Sequence, residues 1–348
     1  MTLRLGLIGT GFVANPHAIG YSRVAPGVSI TAACDPRAEV LAEFAARYGV
    51  PHTYPTSAQL LDSGEVDAVV LLTPPAIRDE VIFPAIERGI HLLIEKPFAS
   101  TARDALRYTT AAEAGGVTLA VSQNFRWFPE YQWLADQLRR AEAGPVIYLG
   151  ATAFQNRPQP KGVWRADQTR LEMAIFSVHL IDRLQWLAGL GGAVPTSVSA
   201  VTRQDEAAGL PGEQFTTLIV QFDSGAVATM TSSWLSKRLP RHECRVDTTV
   251  GSAVVDRPGP MTGDAHGAAE FGDDRADATF PDPDGLHAAE SYGYSVAEFA
   301  RAIAAGEEPE HSGRNNLRTM GIMDAAYLSA ARGGEQVEIA EVLPGGLS

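Results

Sequence analysis

The chemistry-bearing residues of this chain begin at Gly9-Thr10-Gly11-Phe12-Val13-Ala14, a G-x-G-x-x-A sequence directly after a strand-like apolar run. The first glycine permits a tight turn, the second lets backbone amides approach a pyrophosphate, and the third small residue lets a helix pack on a strand. The helix end that follows offers N–H groups and a partial positive charge to an anion. Asp35 closes the second strand-like run, 24 residues beyond Gly11, where a carboxylate would take the hydroxyls of an adenosine ribose. Together these residues predict a dinucleotide site over Gly9–Val13 and Asp35. A carboxylate there favours NAD, because it repels the extra phosphate of NADP. Arg37, two residues on, is placed to stack on adenine or to meet that phosphate, so NADP stays possible. Pro16 falls inside the expected first helix and marks either a kink or a delayed start.

Amines are scarce. Lys96, Lys161 and Lys237 are the only lysines among 28 basic residues. A lysine in an apolar setting therefore stands out, because its amine can change protonation state where a guanidinium cannot. Lys96 sits in Glu95-Lys96-Pro97, at the end of an apolar run. In an open α/β sheet that is the carboxyl edge, where ligands bind.

The elements that must position these groups are legible from periodicity. Leu3–Ile8, Val28–Cys34, Thr53–Tyr54, Asp67–Thr73, His91–Ile94 and Thr118–Ser122 read as six strands. Helices over 37–48, 57–61, 79–88 and 101–114 alternate with them, and the run DAVVLLT has the continuous apolarity of a parallel strand buried on both faces. This predicts a doubly wound Rossmann domain over residues 1–125. Beyond Asn124 the pattern changes. Helices near 130–141 and 171–187 accompany a strand at 146–155, a hairpin of Phe215–Phe222 with Ala226–Ser233, and strand material over 243–256. Helical signals return at 294–305 and 317–331. The expectation is an α+β domain over residues 126–348 with a mostly antiparallel open sheet. The Pro-, Gly- and Asp-rich stretch 257–285 reads as a surface excursion.

Composition sets the outer limits. A chain of 348 residues with 45% hydrophobic and 20% charged residues is globular and large enough for two domains. The net charge of −13, without a basic stripe, argues against nucleic acid. No run reaches the ~18 apolar residues of a membrane span. The N-terminus lacks the marks of a secretion signal. Cys34 and Cys244 are too few for a disulfide framework and lack metal-ligand spacing, so no metal is expected and a reducing cytoplasm is the simplest home.

The phosphate loop, Thr73-Pro74-Pro75, Glu95-Lys96-Pro97 and Gln123-Asn124-Phe125-Arg126 make the chain resemble the glucose–fructose oxidoreductase, inositol dehydrogenase and rhizopine-catabolism (Gfo/Idh/MocA) family. The resemblance continues through Trp164-Arg165, His179-Leu180-Ile181-Asp182 and the stretch 294–334. It implies an NAD(P)-dependent enzyme that moves a hydride to or from a secondary alcohol on a sugar, cyclitol or sugar derivative. It places Lys96 beside the nicotinamide and in contact with the reacting oxygen. A partly desolvated lysine next to a cationic ring has a lowered pKa and can exchange a proton near neutrality. The plainer readings are an amine reaching to water or paired with Glu95. The resemblance further implies that Thr73, Pro74, Pro75, Glu95, Pro97 and Gln123 line the cofactor, that the Lys96–Pro97 bond is cis, and that Trp164 and Arg165 close over cofactor and substrate. Asn124, Arg126, Trp164, Glu172 and His179 are the expected substrate contacts, with His179 as second proton-transfer residue. Relatives assemble through the second-domain sheet, which implies a homodimer or homotetramer.

Two departures matter. Family members usually carry an aspartate four residues before the second-domain histidine; here that position is Ile175. Glu172 and Asp182 lie on the same helical face as His179 and are the available substitutes, although Asp182 reads equally well as structural. Arg78 stands where a histidine is common, and the sequence assigns it no role. The missing carboxylate leaves two alternatives open. One is an NAD-retaining enzyme that cleaves glycosides by transient oxidation and elimination. The other is a non-catalytic sensor of dinucleotide or sugar.

Overall fold

The computed structural model describes residues 2–159, 164–259, 263–345 and 347; Lys161 falls outside them. The chain divides into two compact units, Met1–Trp127 with Ala288–Leu317, and Phe128–His287 with Arg318–Ser348.

In the first unit, strands and helices alternate as β1 (Leu3–Ile8), α1 (Ala14–Val24), β2 (Val28–Cys34), α2 (Ala38–Tyr48), β3 (His52–Tyr54), α3 (Ser57–Leu61), β4 (Ala68–Leu71), α4 (Asp79–Glu87), β5 (His91–Glu95), α5 (Ala102–Ala114) and β6 (Leu119–Ser122). The strands form one parallel sheet in the order β3-β2-β1-β4-β5-β6. Strand order reverses between β1 and β4, which opens a crevice at their carboxyl ends. Every residue of β4 and β6 is buried, as their unbroken apolar runs require. Pro16 is the third residue of α1 and lies in its first turn, where no intrahelical bond uses the missing N–H.

The core of this unit gathers Leu5, Leu7, Ala33, Val70 and Leu93 from the sheet with Tyr21 and Phe44 from the helices. Val296 and Phe299, on the helix His287–Ala305, complete it. Hence 288–317, expected with the second body, packs with the first. The reason is steric as well as apolar. A Cβ added to Gly20 would stand 1.9 Å from the Ala289 carbonyl oxygen, and one on Gly293 would stand 2.3 Å from that of Gly20. The two helices touch backbone to backbone, and only glycine at both positions allows it.

The second unit contains α6 (Pro129–Arg139), β7 (Val146–Phe154), a π-helical turn (Met173–Ser177) running into α7 (Val178–Gly189), then β8 (Pro195–Arg203), β9 (Phe215–Phe222), β10 (Val227–Ser233), β11 (Arg241–Thr248), β12 (Gly251–Arg257), β13 (Ala265–Phe271), β14 (Asp274–Phe280) and β15 (Val337–Glu338). Its sheet order is β14-β13-β12-β11-β7-β10-β9-β8-β15. Among the described residues, only the β7–β10 pair is parallel. Among the described residues, no helix is long and apolar enough to cross a membrane.

Two strand readings are corrected. The stretch 257–285 is no irregular excursion, since β13 and β14 form an edge hairpin there. Three of the four buried positions of β13, Ala265, Gly267 and Ala269, are small and leave little hydrophobic alternation to detect. β8 was not anticipated either, because Ser and Thr occupy much of both its faces.

Candidate active site

The G-x-G-x-x-A segment forms the turn from β1 into α1. Gly9 has φ +99°, and a Cβ there would sit 3.3 Å from the Leu72 carbonyl, so a side chain is excluded twice over. Its amide is tied to the Cys34 carbonyl oxygen at 2.8 Å. The first helical bonds run from Ala14 N to Gly11 O (3.1 Å) and from Asn15 N to Phe12 O (3.4 Å). Helix α1 thus presents the amides of its opening residues at the carboxyl edge of the sheet, which fits a pyrophosphate. Phe12 is 91% exposed at the rim.

Asp35, at the end of β2, is buried, and its carboxylate is already occupied. Oδ2 accepts from Thr10 N (2.9 Å), Thr10 Oγ1 (3.2 Å) and Arg37 Nη2 (2.8 Å), while Oδ1 accepts from Arg37 N (3.0 Å) and Nε (2.8 Å). Burial alone would raise its pKa, but the Arg37 fork and the two backbone amides hold it down at about 2. Asp35 therefore locks the phosphate turn to the second strand. The sequence assigned it to ribose; the structure spends its oxygens inside the protein.

The turn after β5 carries Lys96. The Lys96–Pro97 bond is cis, and Lys96 is half-buried. Glu95 is 4% exposed, and His17 Nε2, on α1, donates to its Oε1 at 3.0 Å. His17 Nδ1 lies 2.7 Å from the Tyr21 hydroxyl, and the Tyr292 ring packs on the imidazole at 4.1 Å. Burial works to raise the Glu95 carboxyl, yet the His17 bond and the positive charge of Lys96 leave it below the usual range. The Lys96 turn is thus anchored to the phosphate-turn helix.

Arg78 is the residue that sequence reasoning passed over. It is 1% exposed, and its guanidinium donates to the carbonyls of Thr73 (2.8 and 3.2 Å), Phe98 (2.9 Å) and Pro97. It stitches the Thr73-Pro74-Pro75 turn after β4 to the Lys96-Pro97 turn after β5. Burial lowers its pKa to about 10, the charge of Glu95 opposing. A basic residue just past a proline pair was the available signal.

At the end of β6, Gln123 and Asn124 are buried, and Arg126 is 1% exposed. Asn124 Nδ2 donates to Ser291 Oγ (2.8 Å), and Arg126 donates to the Glu310 carbonyl (2.9 Å) and Asn315 Oδ1 (2.7 Å). Both side chains, expected at the substrate, tie 288–317 to the end of β6.

In the second unit, Trp164 and Arg165 open a short 3-10 turn, Trp164 being 45% exposed. Glu172 is 0% exposed, and Oε1 takes hydrogen bonds from Ser177 Oγ and Ser232 Oγ, each at 2.6 Å. Burial raises its pKa to about 7, with the two serines pulling back and Glu213 pushing up. Glu213, unnoticed in the sequence, caps the π turn by accepting from Leu171 N (3.0 Å) and Met173 N (2.9 Å). His179 is 3% exposed, one residue into α7. The extra residue of a π turn shifts the helical phase, so Glu172 and His179 do not share the face that α-helical spacing assigns them. Asp182 accepts from Thr319 Oγ1 (2.9 Å) and Gln185 Nε2 (3.2 Å), the structural alternative.

Fold and turn geometry define a dinucleotide-binding oxidoreductase. Two family models match, one described as "Oxidoreductase family, NAD-binding Rossmann fold" over residues 3–123 and one as "GFO/IDH/MocA C-terminal domain" over residues 131–254. The chain belongs to the GFO/IDH/MocA oxidoreductase family, and its cofactor is of the NAD(P) type. It is 28% identical to a D-apiose dehydrogenase of Paraburkholderia graminis, over 96% of this chain and 88% of that one. It is also 28% identical to a D-xylose 1-dehydrogenase (NADP+) of Haloferax volcanii, over 95% and 98% of the two chains. A solved oxidoreductase of Agrobacterium radiobacter, in complex with NAD+, L-tartaric acid and magnesium, superposes with a TM-score of 0.88 at 22% identity, covering 98% and 99% of the two chains. The chain is a dehydrogenase or reductase of this family.

Proposed function

We propose that the enzyme interconverts a secondary alcohol and a ketone on a sugar, cyclitol or sugar derivative, with Lys96 as the group that exchanges the hydroxyl proton. The observation that carries this reading is the position of the Lys96 turn. It follows β5 at the same sheet edge as the Gly9 turn, with β4 alone between β1 and β5. NAD(P) held at the Gly9 turn would supply the acceptor for the hydride of the substrate carbon. Lys96 takes the hydroxyl proton as that hydride leaves, and returns it in the reverse direction. Arg78 and the His17–Glu95 pair fix the turn from which the amine projects. His179 is the second proton-transfer residue of this reading, since imidazole titrates closest to working pH. Thr73, Pro74, Pro75, Trp164 and Arg165 are its lining residues. The names of relatives, which include D-apiose and D-xylose dehydrogenases, support a polyhydroxylated carbon skeleton as substrate.

The enzyme works as a homo-oligomer in the cytoplasm on this reading. Val201 (53% exposed) and Ile219 (47% exposed) share one face of the β8–β9 pair, an apolar surface suited to a second copy. Cys34 and Cys244 are both buried free thiols, suited to a reducing compartment. The test is nicotinamide absorbance with NAD and NADP over a panel of pentoses, anhydro-sugars and cyclitols and their ketones. Turnover on at least one member is expected. Tight coenzyme binding with no turnover in either direction over the whole panel refutes the reading.

A further inference from the structure

We propose that the second unit binds a small monovalent anion, of the size of chloride, on the guanidinium of Arg183 between α6, α7 and the β11–β12 hairpin. This goes beyond the reaction proposed above and does not depend on it.

The starting point is a charge count. His242 and Cys244 share the buried face of β11, and His242 stands directly opposite Arg257 of β12. Arg257 and Glu130, on α6, are 1% and 0% exposed and pair at 2.5 Å. Arg183, on α7, is equally buried but has no such partner. Its neighbours are the Tyr131 ring, at 4.0 Å, and the Cys244 thiol. Among the described residues no carboxylate pairs with it, and its Nε is buried without a hydrogen-bond partner. Glu130 Oε2 lacks one too, so the carboxylate serves Arg257 alone. Burial pushes the Tyr131 hydroxyl up to about 12 and raises the Cys244 thiol. Burial and the charges of Arg183 and Arg257 push His242 down to about 4. All three are therefore neutral near pH 7. Asp182, beside Arg183, is taken by Thr319 and Gln185. Glu243 and Asp256 alternate to the other face of the hairpin and pair with Arg241. Two buried guanidiniums thus face one carboxylate, and one positive charge is left over.

A buried charge is costly unless something of opposite sign meets it, because the water that would solvate it is gone. The Tyr131 ring offsets a small part of that cost by its cation–π contact, and a thiol is only a weak acceptor. Arg157 strengthens the positive field from the margin of the cluster. Its guanidinium stacks over Phe176 at 5.4 Å and Trp234 at 5.2 Å, and His242 meets the same Phe176 ring edge-on at 6.0 Å. One excess charge calls for a monovalent ion, since sulfate or doubly ionised phosphate would overshoot the count. The burial of every partner calls for a small one. A halide meets both conditions, and the planar fork of Arg183 supplies its N–H donors.

The test is thermal unfolding of the wild-type chain and Arg183→Met in chloride, against isethionate, a bulkier sulfonate, at one ionic strength. General salt effects act on both chains alike, so the difference between them reports the site. Without chloride the variant is expected to be at least as stable as wild type, because it no longer buries an unpaired charge. Raising chloride from about 2 to about 200 mM is expected to lift the wild-type midpoint by about 3–8 °C, and that of the variant by no more than about 1 °C. In wild-type crystals soaked in bromide, anomalous scattering is expected to place the ion within about 3.5 Å of the Arg183 guanidinium. The soak needs no variant, and so decides the matter even where Arg183→Met does not fold. Equal chloride responses in the two chains, or water alone beside Arg183 in the soaked crystals, overturns the inference and leaves the dehydrogenase reading standing.

Discussion

Glu172→Gln should make the second unit less sensitive to alkaline pH, and the effect follows from one buried carboxyl. Glu172 has an ordinary carboxyl pKa of 4.5 when unfolded and about 7 in the folded chain, chiefly because burial disfavours its charge. Between those values the native state holds more protons than the unfolded state, so stability falls as pH rises. The contribution is complete below the unfolded value and is lost as pH passes through the folded one. A shift of this size corresponds to about 3 kcal/mol, of which about 2 kcal/mol is lost between pH 5 and pH 8. Glutamine keeps an oxygen for Ser177 and Ser232 and cannot ionise. The stability difference, wild type minus variant, should therefore fall by about 2 kcal/mol over that interval, with the variant gaining ground at pH 8. Urea titration followed by tryptophan fluorescence measures it, since Trp133, Trp164, Trp186 and Trp234 all lie in the second unit. Wild-type and variant profiles that run parallel from pH 5 to pH 8 would refute the reasoning.

Arg78→Ala leaves three backbone carbonyls without their buried donor and should cost about 3 kcal/mol or more in chemical denaturation. Arg78→Lys cannot span both turns, and should lower turnover more than coenzyme affinity in steady-state and binding measurements. Gly20→Ala forces a Cβ against the Ala289 carbonyl and should cost about 3 kcal/mol or more. Gly27→Ala, with open space around it, should leave the thermal midpoint within a few degrees. Equal midpoints for the two glycine variants would show that 288–317 does not pack on α1 as described.

What the sequence made legible, and what it did not, follows from how locally each feature is encoded. The six strands of the first sheet are short apolar runs bounded by Gly, Pro and Asp, and each sits within a residue or two of its expected place. The turns after β1, β4, β5 and β6 were visible because each begins where such a run stops. The partners of the side chains on those turns were not visible, being distant in sequence: Glu95 with His17, Arg78 with Pro97 and Phe98, Arg126 with Asn315. Likewise the π turn of Met173–Ser177 has no signature in spacing, and it undoes the one-face argument for Glu172 and His179. Asp35 and Arg37 are only two residues apart, yet nothing in that spacing told that the guanidinium fork would close on the carboxylate.

Everything proposed for catalysis depends on the Lys96 amine handling the substrate proton. Single-turnover hydride transfer by Lys96→Ala, beside its equilibrium constant for NADH, tests it most directly. A transfer rate about 10²- to 10⁴-fold slower is expected, the worth of a positioned proton-transfer group, with NADH affinity changed by no more than a few-fold. Transfer at close to the wild-type rate would contradict it.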